Sequence, residues 1–95
     1  MLFWLEHAGF CALGESGPFF EGATRIALEG ELPVNTAGGN LSESYMQGWL
    51  HVVEGVRQMR GEAGPRQVAD ANTCLVTGRG MTLNTASCLI LGWAP

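Results

Sequence analysis

Residues 31–61 read ELPVNTAGGNLSESYMQGWLHVVEGVRQMRG, and this region carries the strongest local structural signals in the chain. Between Asn40 and Arg60, apolar side chains recur at three- and four-residue spacing, which predicts one amphipathic helix of about five turns. Asn40 with Glu43 predicts a capping box at the start of this helix, and Gly61 predicts its end. The apolar positions are Leu41, Tyr45, Trp49, Val52, Val53, Val56 and Met59.

Two glycines, Gly48 and Gly55, lie inside the predicted helix. Each costs about 1 kcal/mol relative to alanine in a helix interior. Such a cost is offset where another part of the protein comes close to the helix backbone. We therefore expect a close approach at these positions.

The N-terminal third predicts short helical pieces rather than strands. Residues 1–10 are typical of the end of a helix, because Gly9 suits a C-terminal position with positive φ. Residues 11–22 are rich in Gly and Pro around the pair Phe19 and Phe20. This composition predicts a packed loop with one turn of helix that docks the two rings.

Three apolar segments predict strands. Residues 32–35 predict a short strand with Pro33 at its start or at a sheet edge. Residues 72–77 and 86–91 predict two strands of a C-terminal hairpin, joined by a Gly-rich connection. The fold class is therefore α/β, with a long helix after the Gly-Gly loop and a C-terminal β-hairpin.

The composition predicts one small domain that must bury apolar surface. The chain has 95 residues, of which 46% are hydrophobic and only 15% charged, with a net charge of −4. Low charge at this length favours a piece of a larger fold over a self-sufficient domain. The five basic residues are all Arg and are scattered among acids, which argues against a nucleic-acid partner.

We expect neither a membrane span nor a secretion signal. No apolar run reaches the roughly 18–20 residues that cross a bilayer, and the N-terminus lacks a basic region. Cys11, Cys74 and Cys88 form an odd set without metal-ligand spacing to a histidine. These features favour free thiols in a cytoplasmic protein without a metal site.

Three places in the chain could carry chemistry, and each has a structural alternative. Gly38 and Gly39 could aim backbone N–H groups at an oxyanion, or could only make a tight connection. Tyr45 could transfer protons, or could be a core tyrosine with its hydroxyl bonded to the backbone. The Gly78-Arg79-Gly80 segment could expose N–H groups to a reacting oxygen, or could only serve the hairpin. His7 and His51 have no partner at a triad-like spacing, so we assign them no role.

In order and spacing, five segments resemble the C-terminal part of thiolase-superfamily proteins of the lipid-transfer or sterol-carrier type. They are LEHAGFCALGESGPFFEG, ELPVNTAGGNLSESYMQGW, LHVVEGVRQMRGEAG, RQVADANTCLVTGRG and SCLIL, and they cover nearly the whole chain. The resemblance implies that residues 1–95 are the end of a partial thiolase-like domain with a mixed sheet, whose N-terminal half is absent.

Two departures from ordinary thiolases bear on the reaction. Tyr45 stands where those enzymes have the histidine of a Gly-His-Pro motif. Val76-Thr77-Gly78 occupies their Cys-x-Gly, and Cys74 lies two positions early, on the same face of the strand. By resemblance, the chain is closest to the thiolase-like aldolases of steroid side-chain degradation, which cleave β-hydroxyacyl-CoA by a retro-aldol step.

The resemblance also implies roles and partners. Tyr45 would transfer the proton, Gly38 and Gly39 would shape the acyl-CoA pocket, and the amides of Gly78 and Gly80 would lie near the thioester oxygen. Acyl-CoA is then the substrate, without a further cofactor, and a dimer or a complementing chain is expected. Some such aldolases need an OB-fold and zinc-ribbon partner, elements that this sequence lacks.

A different class of function stays open. The chain could be a non-catalytic thiolase-like remnant or an interaction subunit, because most of the CoA contacts and the thiolase nucleophile belong to the N-terminal half of the family fold. In either case we expect the isolated chain to be inactive. A lipid-carrier function follows from the family's name only and not from these residues.

Overall fold

A computed structural model describes residues 1–39, 42, 46–80 and 85–93 of the chain. These residues form two compact units, Met1–Val34 and Asn35–Pro95, which are described separately below. Within the described ranges, no helix is both long and apolar enough to cross a bilayer.

The first unit is built from two short helices. Helix α1 spans Leu2–His7 and helix α2 spans Ser16–Phe20, and a single 3₁₀ turn follows at Glu21–Ala23. Gly9, with φ of 85°, follows the end of α1, which confirms the predicted helix end. Helix α2 confirms the predicted turn of helix in the following loop.

A carboxylate joins the two helices of this unit. One oxygen of Glu6 accepts a hydrogen bond from the Ser16 hydroxyl at 2.5 Å, and Ser16 is buried. This bond is the main cause that lowers the pKa of Glu6. The start of α2 is thereby fixed to α1.

The predicted strand at residues 32–35 is wrong. The amides of Leu32 and Val34 donate to the carbonyls of Arg25 and Ile26 at 2.9 and 3.1 Å. These acceptors are adjacent residues, whereas the acceptors of a strand ladder lie two residues apart. The segment is therefore a loop fastened to residues 25–26.

The long helix of the second unit is shorter than its apolar pattern predicts. Helix α3 spans Trp49–Arg60 and ends at Gly61, with φ of 70°, as expected. Its predicted start at Asn40 is wrong, because Gln47 and Gly48 have φ of 49° and 93°. A right-handed helix cannot run through two left-handed residues. The expected capping pair of Asn40 and Glu43 lies outside the described residues.

The predicted C-terminal hairpin is confirmed. Strand β1 spans Thr73–Arg79 and strand β2 spans Ala86–Gly92, and they pair antiparallel from Thr73 opposite Gly92 to Arg79 opposite Ala86. Helix and hairpin confirm the α/β class. In the described part of the chain, β1 and β2 make up a two-stranded sheet, so it contains no parallel pair of the expected mixed sheet.

Helix α3 contacts one face of the hairpin at Gly55. A Cβ atom added there would lie 2.9 Å from Leu91 Cδ1, 3.1 Å from Val76 Cγ2 and 3.3 Å from Cys74 Sγ. The expected close approach is thus confirmed at Gly55. At Gly48 it is wrong, because this residue precedes the helix and an added Cβ would meet no atom of the described residues within 4 Å.

Candidate functional site

The Gly-Gly segment forms a tight turn in the second unit. The Gly38 amide donates to the Asn35 carbonyl at 2.8 Å, and Gly38 and Gly39 have φ of 87° and 78°. A side chain on Gly38 would also collide with Ser42, whose hydroxyl donates to the Gly38 carbonyl at 3.1 Å. Gly38 therefore does not offer a ligand a free N–H group, because its amide is used within the turn, and Ser42 takes the room left by its missing side chain.

Tyr45 itself lies outside the described residues. Two positions further along the chain, Gln47 has the left-handed φ already noted. In a non-glycine residue this conformation costs about 1–2 kcal/mol and is common near functional sites. Gln47 and Gly48 therefore redirect the chain sharply between the Tyr45 segment and α3.

A cavity of about 270 Å³ lies at the turn end of the hairpin. Its lining includes Gly78 and Gly80, together with the side-chain-bearing residues Gln47, Arg79, Thr85, Ala86 and Ser87. The structure thus brings two of the predicted site residues together with Gln47, which is two positions from Tyr45. Gly38 and Gly39 are not among the described residues that line this cavity.

The amides of Gly78 and Gly80 are used within the hairpin. Gly80 donates to the Thr85 carbonyl at 2.9 Å, and at the other end of the ladder Trp93 donates to Asn72 at 3.2 Å. Because hydrogen-bonded pairs alternate along an unbroken antiparallel register, Gly78 is also in a hydrogen-bonded position, opposite Ser87. The missing side chains of these glycines allow the opposite strand to pack closely: a Cβ on Gly78 would lie 3.3 Å from the Ser87 hydroxyl, and a Cβ on Gly80 would collide with the Thr85 hydroxyl.

The thiol closest to the thiolase cysteine position is poorly suited to acid–base chemistry. Cys74 and Val76 both point toward Gly55, so the two side chains share a face of β1 as predicted. Burial raises the pKa of Cys74, and the negative charge of Glu54 raises it further. The thiol is therefore neutral near pH 7 and lies against the helix.

His7 contacts a residue of its own helix. The His7 ring stacks on Phe3 with centroids 4.0 Å apart, and its Nδ1 lies 2.9 Å from the Phe3 carbonyl. Within the described ranges, no three His, Cys, Asp or Glu side chains cluster as metal ligands.

A polar cluster on α3 was not predicted from the sequence. Glu54 is only 7% exposed, and its carboxylate accepts hydrogen bonds from the Thr36 hydroxyl at 2.8 Å and the Gln58 amide at 3.1 Å. Arg66 donates to the same carboxylate from Nε at 3.3 Å and from Nη2 at 2.9 Å. We call Thr36, Glu54, Gln58 and Arg66 the Glu54 cluster.

The cluster keeps the Glu54 carboxylate ionised inside the second unit. Burial by itself would raise the pKa of Glu54, but the hydrogen bonds from Arg66, Gln58 and Thr36 outweigh it and the pKa is lowered. Glu54 and Gln58 lie four positions apart, so they share one face of α3, and the adjacent Gly55 marks the side on which the helix meets other elements. Two polar residues on that side are the sequence signal for this arrangement.

The comparison with known protein families covers almost the whole chain. The family described as thiolase C-terminal domain-like matches residues 1–93. The chain belongs to this thiolase family. The resemblance inferred from the sequence motifs is thereby confirmed.

Two relatives of this thiolase domain are named as steroid-cleaving enzymes. A 17-hydroxy-3-oxo-4-pregnene-20-carboxyl-CoA lyase of Mycobacterium tuberculosis is 45% identical over 93 residues, covering 96% of the chain and 22% of the lyase. A steroid side-chain-cleaving aldolase of Thermomonospora curvata is 42% identical over 89 residues, covering 93% of the chain and 22% of the aldolase.

A third relative carries the name of an ordinary thiolase. An acetyl-CoA acetyltransferase of Methanothermobacter thermautotrophicus is 40% identical over 87 residues, covering 87% of the chain and 22% of that enzyme. The chain therefore spans about 22% of the length of each of these relatives.

Proposed function

We propose that this thiolase domain is the C-terminal portion of an acyl-CoA enzyme of the retro-aldol type, acting on β-hydroxyacyl-CoA in lipid or steroid breakdown. The observation that carries the proposal is Tyr45 in the position of the thiolase histidine, in a chain that has Val76 instead of the thiolase cysteine. The similarity to two named steroid-cleaving enzymes supports this choice over Claisen chemistry.

In the proposed reaction, Tyr45 accepts the proton of the substrate's β-hydroxyl group. The Cβ–O bond then becomes a carbonyl, and the electrons of the Cα–Cβ bond pass into the thioester enolate, which takes up a proton at Cα. The products are a ketone or aldehyde and a shortened acyl-CoA. A phenol has a pKa of about 10, so the site must stabilise its anion for it to act as the base.

The glycines shape the proposed substrate pocket. Gly38 and Gly39 add no side chains of their own to the turn that precedes Tyr45 in the sequence, and Gly78 and Gly80 add none at the hairpin cavity. Donation from Gly78 or Gly80 to the thioester oxygen would require their hairpin hydrogen bonds to be exchanged for the ligand. Acyl-CoA is the substrate, and no additional cofactor takes part in the proposed step. We place the enzyme in the cytoplasm and expect a dimer or a complementing chain.

A second candidate is a non-catalytic interaction subunit. It is favoured by the large apolar side chains on the surface of so short a chain, among them Leu13, Ile90 and Trp49 at 74%, 70% and 66% exposure. Where such side chains form a contiguous patch, that patch is typical of a protein–protein contact.

An exchange of segments tests the proposed function. The matching C-terminal segment of the Thermomonospora curvata aldolase is replaced by residues 1–93, and cleavage of a β-hydroxyacyl-CoA is measured under conditions in which the parent aldolase is active. We expect the chimera to cleave, and Tyr45→Phe to lower kcat by about 100-fold or more, because a positioned acid–base group contributes 10²–10⁴-fold.

Two results would count against this function. Equal turnover of the Tyr45→Phe chimera would remove the tyrosine from the mechanism. A chimera that folds, by circular dichroism, but does not cleave would favour the interaction subunit. The matched control is Phe20→Tyr, which changes an aromatic residue outside the proposed site and should leave kcat unchanged.

A further inference from the structure

The Glu54 cluster connects three separate segments of the second unit. Glu54 and Gln58 lie one turn apart on α3, Thr36 belongs to the Gly-Gly turn, and Arg66 belongs to the loop after the helix. The Gln58 side-chain amide donates to both of these segments: its nitrogen lies 3.3 Å from the Thr36 hydroxyl oxygen and 2.8 Å from the Arg66 carbonyl oxygen. The helix therefore holds the turn on one side and the loop on the other.

The loop side is held more firmly than the turn side. Gln58 accepts from the Val68 amide at 2.9 Å, and Gln67 donates to the Gln58 carbonyl at 3.0 Å and accepts from the Ala63 amide at 3.2 Å. On the turn side, Thr36 contributes its hydroxyl, which contacts Glu54 and Gln58. Thr36 is thus the point at which the cluster can fix the turn.

The placement of Thr36 gives this contact its effect. The hydrogen bond from the Gly38 amide to the Asn35 carbonyl closes a four-residue turn in which Thr36 and Ala37 are the central residues. The turn ends in two left-handed glycines, which hold no side chain that could pack and fix them. Ser42 bonds locally to the Gly38 carbonyl, and a charge-assisted hydrogen bond from Thr36 to the buried Glu54 carboxylate ties the turn to α3.

We propose that Glu54 is a positioning residue that holds Thr36, and through it fixes the Gly38–Gly39 turn; the consequence for catalysis rests on the function proposed above. Glu54 does not contact the proposed substrate. It acts by keeping the turn in one conformation before a ligand arrives, which lowers the cost of binding and aligning that ligand.

Hydrogen–deuterium exchange of single amides, followed by NMR in the 95-residue chain, tests the anchoring directly. In Thr36→Val, which keeps the shape but loses the hydroxyl, we expect the Gly38 amide to exchange about tenfold faster, as fits the loss of a hydrogen bond to a charged group. Thr36→Ser should return exchange to within about twofold of the wild type by the same reasoning. Glu54→Gln should give an intermediate rate, because its carbonyl still accepts from Thr36 but has no charge.

The Gly80 amide, bonded to Thr85 in the hairpin, serves as the internal reference, and Thr24→Val in the first unit serves as the matched control. Unchanged Gly38 exchange in Thr36→Val would overturn the proposal. If the Gly80 amide also loses protection from exchange, the variant has unfolded. The proposal is then judged by NMR of the wild-type chain. A Thr36 hydroxyl proton slow enough to be observed, with a cross-peak to Glu54, supports the anchor, and its absence contradicts it.

The catalytic consequence is measured in the aldolase chimera. There, Thr36→Val should lower kcat/KM by about 10- to 100-fold, because small misplacements of a positioning segment have effects of this size, and Thr36→Ser should restore it. No loss in Thr36→Val would overturn the catalytic consequence. A chimera that folds but is inactive would refute the proposed function. The exchange measurement needs no substrate, so the anchoring by Glu54 would still be judged by NMR.

Discussion

At the scale of single residues, Gly55 shows two opposing effects of one methyl group. Gly55→Ala gains up to about 1 kcal/mol of helix propensity. However, the new Cβ would lie within 3.3 Å of Leu91, Val76 and Cys74, and overpacking of this kind costs about 1–3 kcal/mol. Val76 is β-branched and cannot easily turn away. We expect a net loss of about 1 kcal/mol in the free energy of unfolding, measured by urea denaturation.

The control for this substitution is Gly17→Ala in α2. A Cβ at Gly17 would meet no atom within 4 Å and the residue has no positive φ, so this variant should be as stable as the wild type or slightly more so. If Gly55→Ala were equally stable, the contact between α3 and the hairpin would be looser than the structure shows.

Glu54 makes the stability of the second unit depend on pH. Its pKa lies below the ordinary value of 4.5 in the folded chain, so its ionised form contributes stability that is fully present above about pH 4.5. This contribution is lost as the pH falls through the lowered folded pKa. Urea midpoints between pH 7 and pH 3 should therefore fall in acid, and the fall should be shallower in Glu54→Gln. Equal slopes in the two proteins would contradict this assignment.

At the scale of the elements, the start of α3 is set by handedness and not by a side-chain cap. Gln47 holds a left-handed conformation that glycine adopts without strain and that a β-branched residue resists. We expect Gln47→Gly to be at least as stable as the wild type, and Gln47→Val to be less stable than Gln47→Gly by about 1–2 kcal/mol. Thermal unfolding of the two variants checks this order, and a Val variant as stable as the Gly variant would refute it.

The sequence predicted those elements whose signals are local. Gly9 and Gly61 marked helix ends correctly, and the apolar runs at residues 72–77 and 86–91 with their Gly-rich connection gave the hairpin. The start of α3 was missed because the apolar spacing continues through residues 41–48, while the left-handed turn at Gln47 leaves no pattern of its own. The strand predicted at residues 32–35 was wrong because the backbone hydrogen bonds of this segment go to residues 25–26, and the sequence pattern does not show where those residues lie.

At the scale of the whole molecule, the motifs gave the family, and the structure gave a part of the candidate site that no motif contains. Gly78 and Gly80 were predicted from sequence, but their shared cavity with Gln47 requires the fold. The Glu54 cluster was missed because Thr36, Glu54 and Arg66 are separated by 18 and 12 positions, and only packing brings them together. Tyr45 stays a prediction from its place in the motif.

The left-handed pair before α3 has a consequence for how this domain can diversify. In a continuous helix, one inserted residue rotates everything upstream by about 100° relative to the packed face. Gln47 and Gly48 break the helix, so this rotation is not passed across them. Insertions, deletions or exchanges in the preceding segment therefore leave the face that α3 turns to the hairpin unchanged. New side chains can thus be tried in the segment that precedes Gln47 in the sequence while α3 and the hairpin keep their alignment.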